Sequence, residues 1–366
     1  MLSIPRLYQL LTQAYATIPE HLFRGGYAFP PLRVAFILTH RCNLRCRFCM
    51  VWSSYQKEQK RGIKRQELSL EEVKGVIDQL PGYSVITFTG GEPFLRRDLM
   101  PMIRYASQGH RCHIVTNGTL CREEEIEEMV AGRVSSLLAK GVLSVGISIE
   151  GMGEVHDKIV GIPGSFDKTL KTIKSFQQEK SKRGTRYPLV DLKITIGDYN
   201  FSSLKELYDL AVDLKANLCS FQVLNTQTSS YGVEDGDPLA HLTPPKPISS
   251  IEPEPLREQL HYVAKRSTMA FTKVRFNPNM PLPEVVNYYL NRVDLRKFAC
   301  HTPWHTMHIG PYGEVYPCFS YPMGNVREKK VSEIWNGNSY KGFRRKLREK
   351  GIFPGCAGCC IMEYKG

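Results

Sequence analysis

Three observations predict an α/β fold, a partial (β/α)6 barrel of TIM type with a small cysteine-rich domain at its C-terminal end. Short β-branched runs alternate with amphipathic stretches from about Arg33 to Leu224. Each run is followed by enough chain for a helical, right-handed crossover to a parallel neighbour. After about Cys300 the chain becomes turn-rich and cysteine-bearing, with little material for a hydrophobic core of its own. In such a fold the C-terminal ends of the strands converge on one face, where the chemistry sits.

The elements follow in order. Residues 1–32 form an N-terminal amphipathic segment, in which Leu7, Leu10, Leu11, Ala14 and Ile18 fall on one helical stripe. The stripe is expected to pack on the barrel. The competing reading is an interfacial helix on lipid, against which stands Arg6 as the sole basic residue before Arg24. Residues 33–270 form the barrel, with strands expected at 34–38, 85–88, 113–116, 143–149, 192–196 and 221–224. Helices are expected at 70–80, 97–108, 122–140, 166–179 and 201–214, the first opened by Ser69 and Glu72 at capping-box spacing. Residues 226–255, rich in Pro, Ser, Gly and Asp, read as a loop over the barrel mouth, followed by a helix at 256–265. Residues 271–366 are the auxiliary domain, in which a metal centre would supply the missing stability.

Composition narrows the class. The 366 residues are 42% hydrophobic, enough for a sizeable core, and no run of about 18 apolar residues spans a bilayer. The N-terminus lacks signal-peptide architecture, so a cytoplasmic protein is expected, with peripheral contact to the inner membrane face as the extension of the lipid reading. The 49 Lys and Arg against 36 Asp and Glu give a charge of +13, suited to anionic partners or to solvated faces alone. No nucleic-acid recognition module is found. Most of the eleven cysteines are clustered, which in a reducing compartment favours metal ligation over disulfides. Cys112, Cys121 and Cys219 lie apart and read as small buried hydrophobes.

The segment Cys42-Asn-Leu-Arg-Cys46-Arg-Phe48-Cys49 directly follows the first expected strand. Three thiolates in Cys-x3-Cys-x2-Cys spacing can wrap one corner of a cubane, whereas an electron-transferring [4Fe–4S] centre has four ligands. Three leave one iron open for a ligand. A zinc site with His40 as fourth ligand is the competing structure, although zinc spacings seldom crowd four ligands into ten residues.

This segment resembles the signature of the radical S-adenosylmethionine (radical SAM) superfamily. The resemblance implies a [4Fe–4S] cluster on Cys42, Cys46 and Cys49 whose open iron chelates S-adenosylmethionine. It also implies reductive cleavage to a 5′-deoxyadenosyl radical that abstracts hydrogen from a substrate. Phe48 stands where relatives keep an aromatic residue against the adenine. Thr89-Gly90-Gly91-Glu92-Pro93 matches the family motif that holds the cofactor's amino group, with Gly90, Gly91 and Glu92 as binding residues. The same resemblance places Asn117 of Thr116-Asn117-Gly118 and Ser148 of the fourth strand at the cofactor, and Asn225 as an adenine or substrate contact. Glu150, where relatives often carry Asp, and Val160, where many carry Arg, are departures.

Cys300 and Cys318 flank an expected hairpin with its turn at Pro311 to Gly313, and the chain ends in Cys356-Ala-Gly-Cys359-Cys360. Four of these thiols close a [4Fe–4S] cluster; they could equally build a zinc ribbon. The region, including Gly324-Asn325-Val326 and Glu333-Ile334-Trp335, resembles the SPASM/twitch extension of radical SAM enzymes. It implies one auxiliary [4Fe–4S] cluster on Cys300, Cys318, Cys356 and Cys359, with Cys360 as the alternative to Cys359.

The expected function is thus reductive SAM cleavage followed by hydrogen abstraction from a small anionic metabolite or peptide. The auxiliary cluster would assist oxidation, and flavodoxin or ferredoxin would supply electrons. A lipid or isoprenoid substrate at the membrane surface is the second reading, motivated by the N-terminal stripe and the basic stretch 57–65. A non-catalytic metal-binding protein is the third.

Overall fold

Alternation of burial along the strands sets up the architecture. In β1 (Arg33–Ile37), Val34 and Phe36 are fully covered, and in β2 (Val85–Thr89) so are Ile86 and Phe88. Phe36 stacks on Phe88 at 5.9 Å between centroids. The same two-residue period runs through β3 (Arg111–Thr116), gives way to more even cover in β4 (Gly141–Ser148), and returns in the C-terminal halves of β5 (Leu189–Ile196) and β6 (Leu218–Val223). One face meets the helices; the other carries the polar residues of the barrel interior. This computed structural model describes residues 4–60, 62, 65–132, 136, 139–226, 246, 248, 251–318 and 321–366, with backbone alone for 4–10 and 54.

All six expected strands form, parallel and in sequence order. A seventh, β7 (Lys273–Asn277), joins them parallel to β6. After β8 (Phe298–Ala299), β9 (Thr306–Ile309) pairs parallel with β1 on the opposite side. The expected hairpin follows, with β10 (Glu314–Tyr316) antiparallel to β9 and then to β11 (Gly324–Asn325). Strands from beyond residue 270 thus flank the six on both sides. Among the described residues the sheet has ten strands and does not close, its edges being β7 and β11. A short pair, β8 with β12 (Glu363–Tyr364), secures the C-terminal end.

The helices follow the crossovers. Helix α1 (Ile4–Leu22) precedes the sheet, and α2 (Met50–Lys60), not anticipated from periodicity, begins directly after Cys49. Helix α3 (Leu70–Ile77) opens on the expected capping box, the Glu72 N–H donating to Ser69 Oγ and the Ser69 N–H to Glu72 Oε2. Then come α4 (Leu99–Gly109), α5 (Glu123–Ala131), α6 (Glu154–Val160), α7 (Ser165–Lys182), α8 (Leu204–Asp213) and α9 (Pro253–Met269). The C-terminal part adds α10 (Leu282–Tyr289), α11 (Val331–Trp335) and α12 (Asn338–Lys350). Helix α5 is shorter than the expected 122–140, part of which lies outside the described residues. So does most of the loop expected at 226–255 and part of the basic stretch 57–65.

Helix α1 corrects one expectation. Of its stripe, Leu11, Ala14 and Ile18 face outward; Leu7 and Leu10 have no described side chains. The side that meets the protein makes polar and aromatic contacts instead: Gln13 donates to Glu363, Glu20 pairs with His301 at 2.7 Å, and Tyr15 packs edge-on to Phe29 at 5.2 Å. Among the described residues no helix is long and apolar enough to cross a membrane.

Candidate functional site

The loop carrying Cys42, Cys46 and Cys49 rests on the backbone that follows β2. Gly91 N–H donates to Thr39 O at 2.7 Å and Glu92 N–H to Arg41 O at 2.8 Å. A Cβ at Gly91 would lie 2.2 Å from Arg41 O, and one at Gly90, where φ is +152°, 2.6 Å from Thr39 O. The glycine pair is therefore needed for the approach of the cysteine loop itself. On its other side the loop is held by the end of α6, since Arg45 N–H donates to Val160 O at 2.7 Å. That contact uses the backbone of Val160, so the departure from Arg there leaves it intact. Arg45 also lies 3.8 Å over the Trp52 ring.

Glu92 is fully buried and ties the strand ends together. Its Oε1 accepts from Phe94 N–H (3.0 Å) and Thr116 Oγ1 (2.8 Å), and its Oε2 from Asn117 N–H (2.8 Å). Burial pushes its carboxyl up to about 7 despite these donors. The Asn117 side chain donates to Asn43 Oδ1 at 3.0 Å and lies 3.9 Å from Cys42 Sγ, while Asn43 donates to Thr119 Oγ1. Glu92 and Asn117 thus fix the loop from below.

The three thiols share one neighbourhood, since the charge of Cys49 resists ionisation of both Cys42 and Cys46. Burial pushes Cys42 up to about 11, with the charges of Glu92 and Cys49 adding and the Leu44 N–H opposing. Burial also raises Cys46, reinforced by Glu150, Cys49 and Cys42, and raises Cys49, whose sulfur accepts from Trp52 N–H at the start of α2. Buried thiols this reluctant to ionise become ligands when cationic iron supplies the missing charge. Among the described residues no three Cys, His, Asp or Glu side chains stand close enough to grip a single metal ion. A cubane presents separate irons at its corners, so its sulfur ligands lie farther apart than those of one ion, and three thiols too spread for one ion would still suit it. His40 turns away, its Nδ1 being 3.5 Å from Glu58 and its ring edge-on to Tyr312.

Beside Cys49, at the strand ends, lies a cavity of about 250 Å³ lined by Phe48, Gly90, Thr195, Gln222 and Asn225 among others. Phe48 stacks on Tyr199 at 5.5 Å and 16°. The structure therefore brings Phe48, Gly90 and Asn225 to one cavity, puts Gly91, Glu92 and Asn117 beneath the loop, and leaves Ser148 outside that lining, in register with Lys193. Thr195, Gln222 and Tyr199 were missed in the sequence. Thr195 and Gln222 are polar residues near strand C-terminal ends, one position away from buried apolar neighbours, and that signal could have found them. Glu150 is buried near Cys46, accepts from Thr195 N–H at 2.8 Å and is raised by burial to about 8.

Lower on the inner face, buried Asp191 accepts from Lys193 (3.1 Å), Arg275 (2.8 Å) and Ser220 (2.7 Å). Helix α10 connects this barrel to the terminal thiols: Tyr289 Oη donates to Ile196 O at 2.7 Å and Tyr288 Oη to Leu224 O. Gly358, at φ +78°, packs against Tyr288 so closely that a Cβ would lie 2.1 Å from its hydroxyl. Half-buried Cys300 lies within the electrostatic reach of Cys356 and Cys318, and half-buried Cys359 within that of Cys360, Cys356 and Cys300. Cys360 differs, because the charge it feels most strongly is the Lys193 ammonium on the barrel's inner face.

The description "Radical SAM superfamily" matches residues 36–211, and "Iron-sulfur cluster-binding domain" (SPASM) matches residues 300–360. Fe-coproporphyrin III synthase of Methanosarcina barkeri (strain Fusaro / DSM 804) is 33% identical over 223 residues, 60% of this chain and 50% of that protein. The chain thus matches half the length of that relative. PqqA peptide cyclase of Rhizobium meliloti (strain 1021) is 26% identical over 360 residues, covering 92% of this chain and 84% of the relative. Streptococcus suis SuiB superposes with a TM-score of 0.62 at 16% identity, over 98% of this chain and 79% of SuiB, a likeness of fold.

Proposed function

Because the chain belongs to the radical SAM superfamily and carries a SPASM-type iron–sulfur domain at its C-terminal end, we propose that it oxidises a peptide or small anionic substrate by hydrogen abstraction. The superfamily's cofactor is a [4Fe–4S] cluster with S-adenosylmethionine, and the SPASM domain binds auxiliary iron–sulfur. When bound, these groups supply the electron that cleaves S-adenosylmethionine, the radical that removes a substrate hydrogen atom, and an acceptor for the second substrate electron. Flavodoxin or ferredoxin fits as the external donor.

The chain's own residues have separable roles in this reading. Cys42, Cys46 and Cys49 hold the first cluster, and Gly90 and Gly91 seat their loop. Phe48, Thr195, Gln222 and Asn225 line the cavity for the cofactor's nucleoside. Ser148 flanks the inner face, and Glu92 offers its remaining lone pairs to the cofactor's amino group. Cys300, Cys318, Cys356 and Cys359 hold one auxiliary cluster. Asp191 is bonded to two cations, Lys193 and Arg275, and that excess of positive charge suits a carboxylate-bearing substrate. The name of the PqqA peptide cyclase favours a peptide among such substrates.

The observation that carries the reading is the seat of the loop bearing Cys42, Cys46 and Cys49: the Gly91 and Glu92 N–H groups donate to the carbonyls of Thr39 and Arg41, and buried Glu92 ties that turn to Asn117. Anaerobically reconstituted protein with a strong reductant is expected to release 5′-deoxyadenosine from S-adenosylmethionine. Cys42→Ala, Cys46→Ala and Cys49→Ala should each abolish that release; unchanged turnover in them would overturn the reading.

A further inference from the structure

Helix α1 is inside out. Its covered side consists of Thr12, Gln13, Tyr15, Ala16, Thr17, Pro19 and Glu20, of which Ala16 is fully covered, Tyr15 packs edge-on to Phe29, and Gln13 and Glu20 bond to Glu363 and His301. Its outward face carries Leu11, Ala14, Ile18 and Leu22 at helical spacing, with Leu11 61%, Ile18 44% and Leu22 70% exposed. Phe23 and Tyr27 extend this surface just beyond the helix, at 38% and 43% exposure. Single exposed apolar residues are commonplace, but a continuous stripe at a period of 3.6 marks a surface that meets something apolar.

The surroundings say what. Helix α12 is pinned beside the C-terminal end of α1, since Arg348 donates to the carbonyls of Glu20, Phe23 and Arg24, and Arg345 to that of Gly25. Arg24 and Arg345 are exposed at this junction, and Lys346, Lys350 and the acid Glu349 are exposed elsewhere on the same stretch of α12. We infer that the α1 stripe and the α12 cations together dock the protein on an anionic lipid bilayer, the apolar stripe entering the acyl boundary and the cations meeting headgroups. Phe23 and Tyr27 are residue types suited to that boundary. A second copy is disfavoured by the same charges, because a two-fold contact would set one basic rim against another.

The docking stands apart from the radical chemistry and is tested separately. Reconstituted full-length protein is mixed with vesicles of phosphatidylcholine alone or with phosphatidylglycerol, then sedimented at low and high salt. Binding to the anionic vesicles, lost on adding salt, is expected. The Leu11→Ser/Ile18→Ser/Leu22→Ser and Lys346→Glu/Lys350→Glu variants should each bind about tenfold more weakly while releasing 5′-deoxyadenosine at the wild-type rate. Absence of binding at low salt, or binding that both variants retain, overturns the inference. So does a dimer in analytical ultracentrifugation that the serine variant dissociates, because the stripe would then be an interface between copies.

Discussion

The Asn117 backbone N–H donates to Glu92 Oε2 at 2.8 Å, so the acidic residue of the Gly-Gly-Glu turn is a bond between strand ends as well as a candidate cofactor contact. Glu92→Ala would strip the buried Thr116 hydroxyl and Asn117 N–H of their acceptor, at about 1–3 kcal/mol each, and leave the part-exposed Phe94 N–H to water. Removing a carboxylate that burial disfavours offsets part of this, and a net loss of about 2 kcal/mol is expected in urea unfolding. If Glu92 also meets the cofactor's ammonium, S-adenosylmethionine affinity should fall at least about tenfold by calorimetry, the effect of losing a charge-assisted bond. A variant that loses stability and keeps affinity would make Glu92 a strut alone.

Gly91→Ala tests whether the loop must lie where it does. The added methyl would sit 2.2 Å from the Arg41 carbonyl oxygen, a contact relieved only by moving the cysteine loop. The expected result is reconstituted protein that loses iron from the first site, keeps the auxiliary iron, and no longer cleaves S-adenosylmethionine. Iron and sulfide analysis against a Cys42→Ala control checks this.

Cys359 and Cys360 are neighbours in sequence with different surroundings. The charges that act on Cys359 are those of Cys360, Cys356 and Cys300, whereas the one that acts on Cys360 is the Lys193 ammonium. Cys359→Ala should therefore remove the auxiliary signal in electron paramagnetic resonance of the reduced protein, and Cys360→Ala should leave it. The reverse outcome would reassign the fourth ligand.

The parts of this molecule that were readable in sequence are those in which one residue's type is decided locally. Alternation such as Val34 and Phe36, or Ile86 and Phe88, reports a strand with one face covered, and all six expected strands formed. The Ser69–Glu72 cap is likewise local. What could not be read depends on a partner distant in the chain. Periodicity located the stripe Leu11, Ala14 and Ile18 but not which side of α1 meets the protein, which Glu363 and His301 decide. Glycines at 90 and 91 look the same whether a ligand or the Arg41 carbonyl lies against them. Strand β7 was hidden because Lys273 and Arg275 are charged, Arg275 serving Asp191 on the inner face. Gln222 became a cavity residue only when β5 and β6 were placed side by side.

Buried histidines set the acid limit of the fold. Burial lowers His156 and His308 to about 4, and lowers His113 and His305 to about 3, with nearby cations such as Lys193 and Arg33 helping for the latter two. His156 must be neutral because its Nδ1 accepts the Glu150 N–H at 3.0 Å. Each folded-state value lies below that of an unfolded histidine, about 6.5, so below that pH the unfolded chain binds more protons. Stability should therefore fall as the pH drops from about 6.5 to about 4, by about 3 kcal/mol for His156 alone once it is fully protonated. His156→Gln removes one of the titrating groups. Its stability at pH 7 will be lower than wild type, but the decline between pH 6.5 and 4 should be shallower. Urea midpoints measured at several pH values across that window for both proteins check this, and parallel slopes would show that His156 protonates freely in the folded state.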